Sequence, residues 1–327
     1  MSETVVLGLL VGAALGALMA RGDICFNAAL RRAAFEGDTS VLRGFAVAVA
    51  VQLVLLPALS LLGLVSLAPP GLFPAAQVVG GLVFGAGMAL AGGCVTGILW
   101  KAGAGSVATA LAVAGFALGE LLIRGPGRAT LCRLDGAVAR PAEGTLHGVL
   151  GLPYGLVAAV LGVGALVLLR RADARRGLRL GLALGGLSAL AWVGADRVGA
   201  GYGLGFTGTA ANVRASLVAG DPSALGWSAF LALGVVAGAA LATRGPLRRP
   251  DPPRLARALA GGVLMGGGAS MAHGCNIGLG LAGIPTLSLG SMLAVAAMAV
   301  GAVAVRGLLL EPFPALRGAE RPSAAGW

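Results

Sequence analysis

The chain has 327 residues, of which 57% are hydrophobic and only 11% are charged, and its mean hydropathy is +0.90. Soluble globular domains carry roughly 25% charged residues, so this composition excludes a soluble globular protein and indicates a polytopic membrane protein in a lipid bilayer. The net charge is +11, but the basic residues lie between apolar blocks and lack the interleaved aromatic residues of a nucleic-acid site, so no nucleic-acid partner is expected.

Nine segments are long and apolar enough to be predicted as membrane spans, which makes the expected fold class an all-α polytopic membrane protein. The first segment has no basic n-region and runs directly into Arg21, so we interpret it as a retained span and not as a cleaved signal peptide. In chain order the segments are 5–20, 44–67, 77–92, 106–123, 148–169, 178–195, 224–242, 255–272 and 287–310.

The distribution of basic residues predicts the orientation of these spans. The segments after the odd-numbered spans hold 18 of the 24 Lys and Arg residues, and basic residues prefer cytoplasmic loops. The N-terminus is therefore predicted to lie outside and the C-terminus in the cytoplasm of a multi-pass membrane protein.

Four short, less apolar pieces lie between the spans, at 23–35, 94–103, 204–218 and 275–283. Each piece is too short to cross a bilayer, and each begins with Gly or a small polar residue, as a helix N-terminus does. They are predicted to be re-entrant helices, because irregular backbone at membrane depth is tolerated only where protein or a water-filled cavity satisfies it.

The two halves of the chain repeat each other. When Gly93-Cys94 is placed over Gly274-Cys275, an offset of 181, five further small residues upstream coincide and Gly97 falls on Gly278. Five crossings separate the first spans of the two halves, and an odd number reverses direction, so the repeats are expected to be inverted, as in many transporters. The predicted organisation is a first repeat at 1–128, a connecting loop and extra span at 129–177, a second repeat at 178–310 and a cytoplasmic tail at 311–327.

Three of the four cysteines stand at the starts of the short pieces: Cys25, Cys94 and Cys275. Cys132 lies in the polar loop between the fourth and fifth spans. An apolar filler role, a structural disulfide and a metal site are the competing interpretations. No CxxC or HxxxH spacing occurs, so no metal is predicted.

The interpretation that we favour is a path for a sulfur-containing anion. A thiol is a weak, soft donor, and helix N-termini carry partial positive charge that favours an anion. The residues expected to bind this anion are Cys25, Cys94, Cys275, Gly93, Gly274 and Asn276. For Asn276, which directly follows its cysteine, capping of the short helix is the alternative role.

The motifs GDICFNAALR, GGCVTG and HGCNIGLG, together with the duplicated layout, resemble the YeeE/YedE family of sulfur transporters, whose characterised members take up thiosulfate. The resemblance covers nearly the whole chain. It implies nine spans plus re-entrant helices, and a relay of thiosulfate between thiols by S–H···S hydrogen bonds without covalent capture. Carried over, the relay is Cys25 on the cytoplasmic side, with Cys94 and Cys275 on the outer or central side; Cys132 matches no relay position.

The function expected from residues and resemblance together is therefore an inner-membrane permease that imports thiosulfate or a closely related sulfur anion. It is not expected to be an enzyme or to need a cofactor. A membrane protein that carries sulfane sulfur covalently on cysteine, and a transporter of a selenium compound, stay open as alternatives. A cytoplasmic sulfur-carrier protein is a candidate partner.

Two further expectations concern polar residues outside the cysteine motifs. Glu120 lies near the end of a span, so we expect its carboxylate to be solvated. Trp100, Trp192 and Trp227 are expected to anchor the protein at the membrane interface. His273, which stands where the first repeat has Gly92, receives no role from the sequence.

Overall fold

A computed structural model describes residues 2–124, 144–170, 175–243 and 252–310. Within these ranges the chain is helical and has no β-strand. Short 3-10 or π-helical turns extend or follow several of the α-helices. The α-helices are α1 (Ser2–Gly22), α2 (Phe26–Arg31), α3 (Ser40–Leu61), α4 (Pro74–Ala91), α5 (Val95–Gly103), α6 (Val107–Leu122), α7 (Leu146–Leu150), α8 (Tyr154–Arg170), α9 (Arg175–Arg197), α10 (Thr209–Ala219), α11 (Gly226–Thr243), α12 (Pro252–Met271) and α13 (Leu289–Val305).

Six helical segments of the described chain are long and apolar enough to cross a membrane. They contain α1, α3, α4, α9, α11 and α13, and the apolar helices α6 and α8 are somewhat shorter. The protein is therefore a multi-pass membrane protein, as its composition predicts. Each of the nine predicted segments overlaps a long helix, and the largest boundary errors are six residues. Segment 44–67 runs past the end of α3 at Leu61, where the chain turns at Gly63 with φ +68°, and segment 148–169 begins before α8, which starts at Tyr154 after a turn at Gly151 with φ +65°.

Long helices of the two halves of the chain pack side by side and in parallel. Gly12 of α1 lies against Leu231 of α11, and one turn further on Gly16 lies against Val235. Helices α9 and α3 make the corresponding contact, with Gly177 against Ser40. Helices α6 and α12 are parallel as well, and so are α4 and α13.

Helices α4 and α12 cross antiparallel. A Cβ atom at Gly80 would stand 2.8 Å from the carbonyl oxygen of Gly268, and a Cβ at Gly87 would stand 2.6 Å from that of Gly261. Only glycine allows two helix backbones to approach this closely, which is the usual basis of tight helix packing in membranes. The last turn of α4 thus lies beside the first half of α12, and the two helices end on opposite sides of the contact.

Candidate functional site

All three cysteines of the sequence motifs lie at helix starts. Cys25 is the N-cap of α2 and Cys94 the N-cap of α5, both with extended backbone, and Cys275 directly precedes a helical turn that continues as π-helix Gly278–Gly283. The backbone carbonyl of each cysteine accepts a 2.8 Å hydrogen bond from the N–H four residues further on. The three thiols therefore occupy the same local position in three short helices.

The same turn leads into each of these helices. The residue two places before each cysteine has a left-handed backbone, with φ of +48° at Asp23, +72° at Gly92 and +62° at His273. The N–H groups that follow Asp23 and His273 each donate to the carbonyl five residues back at 2.9 Å, as in a Schellman turn. His273 thus has the conformational role of Gly92, and its ring stacks on Phe73 with centroids 4.5 Å apart.

Cys25 and Cys94 meet in the buried core. Their Sγ atoms are 3.7 Å apart, and the backbone N–H of Cys94 donates to Cys25 Sγ at 3.5 Å. Both are free thiols, and their side chains are 1% and 0% exposed. The Thr96 hydroxyl lies 3.5 Å from Cys94 Sγ. The start of α2 and the start of α5 therefore present one continuous group of soft donors.

Gly97 faces both thiols from the first turn of α5. A Cβ atom there would stand 2.6 Å from Cys25 Sγ and 3.3 Å from Cys94 Sγ. Gly97 is not among the site residues expected from the sequence, although its coincidence with Gly278 in the repeat is the signal that could have identified it.

Two further side chains hold the thiol pair and were also missed. The indole N–H of Trp100 donates at 3.0 Å to the carbonyl of Ile24, the residue before Cys25. The Lys101 ammonium donates at 2.9 Å to the carbonyl of Gly92. A positive charge therefore stands at the turn that leads to Cys94, where it favours the approach of an anion.

Cys275 lies in a separate setting. Its Sγ accepts the N–H of Gly278 at 3.3 Å, and no hydrogen bond joins it to Cys25 or Cys94 among the described residues. The structure therefore pairs Cys94 with Cys25 and not with Cys275. The carbonyl of Gly278 accepts the hydroxyl of Tyr202 at 2.7 Å.

Asn276 has an unusual environment for a buried amide. Its side chain is 3% exposed, yet neither its Nδ2 nor its Oδ1 has a hydrogen-bond partner among the described residues. Buried polar groups are nearly always satisfied, so this amide is available to a bound polar molecule or to water.

Gly93 and Gly274 are the remaining residues that the sequence predicts at the site. Gly93 and Gly274 precede their cysteines, and a Cβ at either would meet Ile98 or Leu279 of the following turn, at 3.2 Å and 2.6 Å respectively. Cys132 lies outside the described residues. No cluster of three or more His, Cys, Asp or Glu side chains suited to a metal ion occurs in the part of the chain that the structure describes.

Two expectations drawn from the sequence are wrong. The side chain of Glu120 is 0% exposed, because the chain at Gly208 covers the end of α6 and donates a backbone N–H to the carboxylate. The three tryptophans do not extend into the interface: each is at most 7% exposed, since Trp100 and Trp227 use their indole N–H groups to hold loop carbonyls and Trp192 fills the core.

Two thiosulfate transporters are similar to this chain along most of its length. The thiosulfate transporter TsuA of Spirochaeta thermophila is 32% identical over 312 residues, which cover 88% of this chain and 93% of that protein. The protein of the same name from Escherichia coli is 30% identical over 309 residues, covering 86% and 88%. The probable transporter YedE of Escherichia coli matches over 107 residues only, at 35% identity.

A family model described as sulphur transport matches residues 21–304, a range that contains all three cysteines at helix starts and every α-helix between α1 and α13. The match covers well over half of the chain, and the two thiosulfate transporters align with the chain along most of their own length. The chain therefore belongs to the sulphur transport family.

Proposed function

We propose that the protein is a permease that imports thiosulfate, or a closely related sulfur anion, across the inner membrane. The observation that carries the proposal is the contact of Cys25 Sγ with Cys94 Sγ, 3.7 Å apart at two helix starts in the buried core. The two full-length relatives named as thiosulfate transporters support the choice of substrate.

The proposed architecture is a pair of inverted repeats, at 1–128 and 178–310, with nine spans and four re-entrant helices. The helix contacts support it, because each contact between the repeats has a counterpart in which the equivalent helices of the two repeats are interchanged. Helix α1 of the first repeat packs on α11 of the second, and the equivalents α9 and α3 pack on each other in the same way. Likewise, the contact between α6 and α12 has its counterpart in the contact between α13 and α4. Equivalent helices α4 and α12 cross antiparallel, as a two-fold axis in the membrane plane requires.

In this arrangement the substrate passes between thiols without forming a covalent bond. The terminal sulfur of thiosulfate is large and polarizable, and it accepts weak S–H donors in place of the water that it loses. Weak donors bind the anion loosely enough for release, which is the compromise that conduction requires. Cys25 and Cys94 together form one step of the relay, and Cys275 forms the other.

The order in which an imported anion meets the cysteines follows from the predicted orientation of the spans. With the N-terminus outside, the turn between α1 and α2 and the turn between α4 and α5 belong to the cytoplasmic half, and the turn after α12 belongs to the outer half. The anion thus enters at Cys275, where Gly274, Asn276 and the N–H of Gly278 are the neighbouring polar groups, and leaves past Cys94 and Cys25. Gly93 contributes backbone at the inner step.

Uptake of radiolabelled thiosulfate into proteoliposomes that contain the purified protein tests the proposal. We expect uptake well above that of protein-free liposomes, inhibition by unlabelled thiosulfate, and weak inhibition by sulfate, which has no terminal sulfur. Stronger inhibition by a selenium analogue would move the assignment to that substrate. Absence of uptake by correctly inserted, monodisperse protein would contradict the proposal.

Mass spectrometry of the protein recovered after transport distinguishes the relay from covalent transfer. The relay predicts unmodified Cys25, Cys94 and Cys275 after many turnovers. An added sulfur atom on any of them during turnover would instead indicate a persulfide intermediate.

A further inference from the structure

Glu120 of α6 is the one acidic side chain that is fully buried among the described residues. An ionised carboxylate inside a membrane protein is costly, and such residues usually mark an ion or proton site. The thiol relay makes no use of it. Its place in the bundle therefore calls for a functional account of its own.

The carboxylate is held on one side only. Its Oε1 atom accepts the backbone N–H of Gly208 at 2.7 Å and lies 3.4 Å from Arg124 Nε. The N–H groups of Ala210 and Ala211, in the first turn of the eleven-residue helix α10, also lie close to it. Its other oxygen, Oε2, is buried and has no hydrogen-bond partner in the described chain. A carboxylate with one satisfied and one vacant oxygen is well suited to take up a proton.

The charged and polar groups around Glu120 come from three helices. Arg124, in the π-helical turn that follows α6, is the charged group that contacts it among the described residues, and its side chain is 33% exposed. Helix α10 contributes backbone N–H groups only, and α12 contributes the Ser270 hydroxyl, which donates to the backbone carbonyl of Glu120 at 3.5 Å. Arg124 therefore stands between the buried carboxylate and solvent.

Segment 202–208 connects this carboxylate to the sulfur path. At one end Gly208 donates to Glu120, and at the other the Tyr202 hydroxyl donates to the carbonyl of Gly278. Between these ends the carbonyl oxygen of Leu204 lies 3.4 Å from the position that a Cβ of Gly278 would take. Gly278 in turn donates its N–H to Cys275 Sγ. Contacts through segment 202–208 therefore run from the hydrogen bond between Gly208 and Glu120 to the neighbours of Cys275.

The proposed substrate creates the need for such a site. Thiosulfate is a dianion, and moving it inward against an inside-negative potential costs free energy in proportion to its charge. A relay of neutral thiols supplies none of that free energy. Accumulation therefore requires coupling to a downhill flux, and one proton moving with the dianion supplies such a flux and halves the net charge that crosses.

We propose that Glu120 is the proton-binding site that couples inward proton movement to anion transport. This inference rests on the proposed import of thiosulfate. The proton binds at Oε2 and neutralises the carboxylate, which weakens its attraction for Arg124 and for the N-terminus of α10. Segment 202–208 then loosens from Gly278 and opens the Cys275 step to the anion. Glu120 lies in the outer half of the protein, so the proton then moves inward along the opened anion path, and its loss from the carboxylate restores the contact.

The test compares two assays in proteoliposomes that contain the wild-type protein, Glu120→Gln or Glu120→Asp. The first assay measures thiosulfate uptake with and without an inward proton gradient and reports their ratio, which does not depend on the amount of folded protein. The second assay measures exchange of external labelled for internal unlabelled thiosulfate at equal pH, which requires no net proton movement. Glu3→Gln makes the same chemical change at an exposed carboxylate and is the matched control.

We expect the gradient to raise uptake severalfold in the wild type and in Glu3→Gln, and to have no effect in Glu120→Gln. Glu120→Asp, which retains a titratable carboxyl group, should regain part of the response. Exchange should persist in all four proteins. A wild type that exchanges thiosulfate but ignores the gradient, or a Glu120→Gln variant that responds as the wild type does, would overturn the inference and leave the proposed function intact. Absence of exchange in the wild type would overturn the proposed function itself.

Discussion

Gly97 of α5 and Cys25 at the start of α2 are fitted to each other across 72 residues of sequence: a Cβ at Gly97 would stand 2.6 Å from Cys25 Sγ. The second repeat does not share this fit. Its equivalent, Gly278, would bring a Cβ no closer than 3.4 Å to any neighbouring heavy atom outside its own turn, an ordinary contact. The absence of a side chain at Gly97 therefore makes room for the thiol pair and is not a general requirement of these short helices.

Gly97→Ala should separate Cys25 from Cys94 and lower thiosulfate uptake about tenfold. The added methyl group overpacks a buried contact, which costs roughly 1–3 kcal/mol, and about 1.4 kcal/mol corresponds to a factor of ten. Gly278→Ala is the matched control and should retain uptake within about twofold of the wild type, since a contact of this length needs little adjustment. Equal losses in both variants, at equal amounts of inserted protein, would show that the fit to the thiols does not matter.

Replacement of either paired thiol by a hydroxyl should also lower uptake, by about two- to tenfold. Cys25→Ser and Cys94→Ser each replace a soft donor to the substrate sulfur with a hard one, and a change on the scale of one hydrogen bond corresponds to about 0.5–1.5 kcal/mol. Cys275→Ser should behave in the same way. Cys132→Ser is the control, because the resemblance assigns Cys132 no part in the relay, and its uptake should match the wild type. Similar loss in all four variants would exclude a specific relay.

Asn276→Leu should separate stability from function. Neither polar atom of the Asn276 amide has a hydrogen-bond partner among the described residues, so a leucine of similar size removes a buried polar group without breaking a hydrogen bond within the described chain. We expect an unfolding temperature in detergent equal to or above that of the wild type, and uptake lowered severalfold if the amide contacts the anion. Unchanged uptake would remove Asn276 from the substrate path, and a large fall in unfolding temperature would show that the amide is structural.

The sequence predicts where helices begin because apolar runs and their polar interruptions are local features. The positions of Cys25, Cys94 and Cys275 at helix starts follow from the small and polar residues just before them. The contact of Cys25 with Cys94 could not be predicted in this way, because it depends on how two helices meet in space.

The same distinction explains the errors. Glu120 stands near the end of an apolar segment, a position that is normally solvated, and only the fold shows that the chain at Gly208 covers it. The burial of Trp100 was missed for a related reason. A tryptophan near a span end is typical of the membrane interface, but here a turn carbonyl inside the bundle needs a donor and the indole N–H supplies it.

The hydrogen bond from Trp100 to Ile24 should have a measurable effect on both stability and transport. Trp100→Phe removes the indole N–H and leaves a buried carbonyl unsatisfied beside Cys25, which costs about 1–3 kcal/mol. Trp192→Phe is the matched control: it deletes a similar volume from the core, but Trp192 Nε1 has no hydrogen-bond partner in the described chain. We measure thermal unfolding in detergent and thiosulfate uptake for both variants, and the difference between the variants gives the contribution of the hydrogen bond. We expect Trp100→Phe to unfold at the lower temperature and to transport less, because the turn before Cys25 loses the hydrogen bond that fixes its position. Equal effects of the two substitutions would mean that ring volume matters and the hydrogen bond does not.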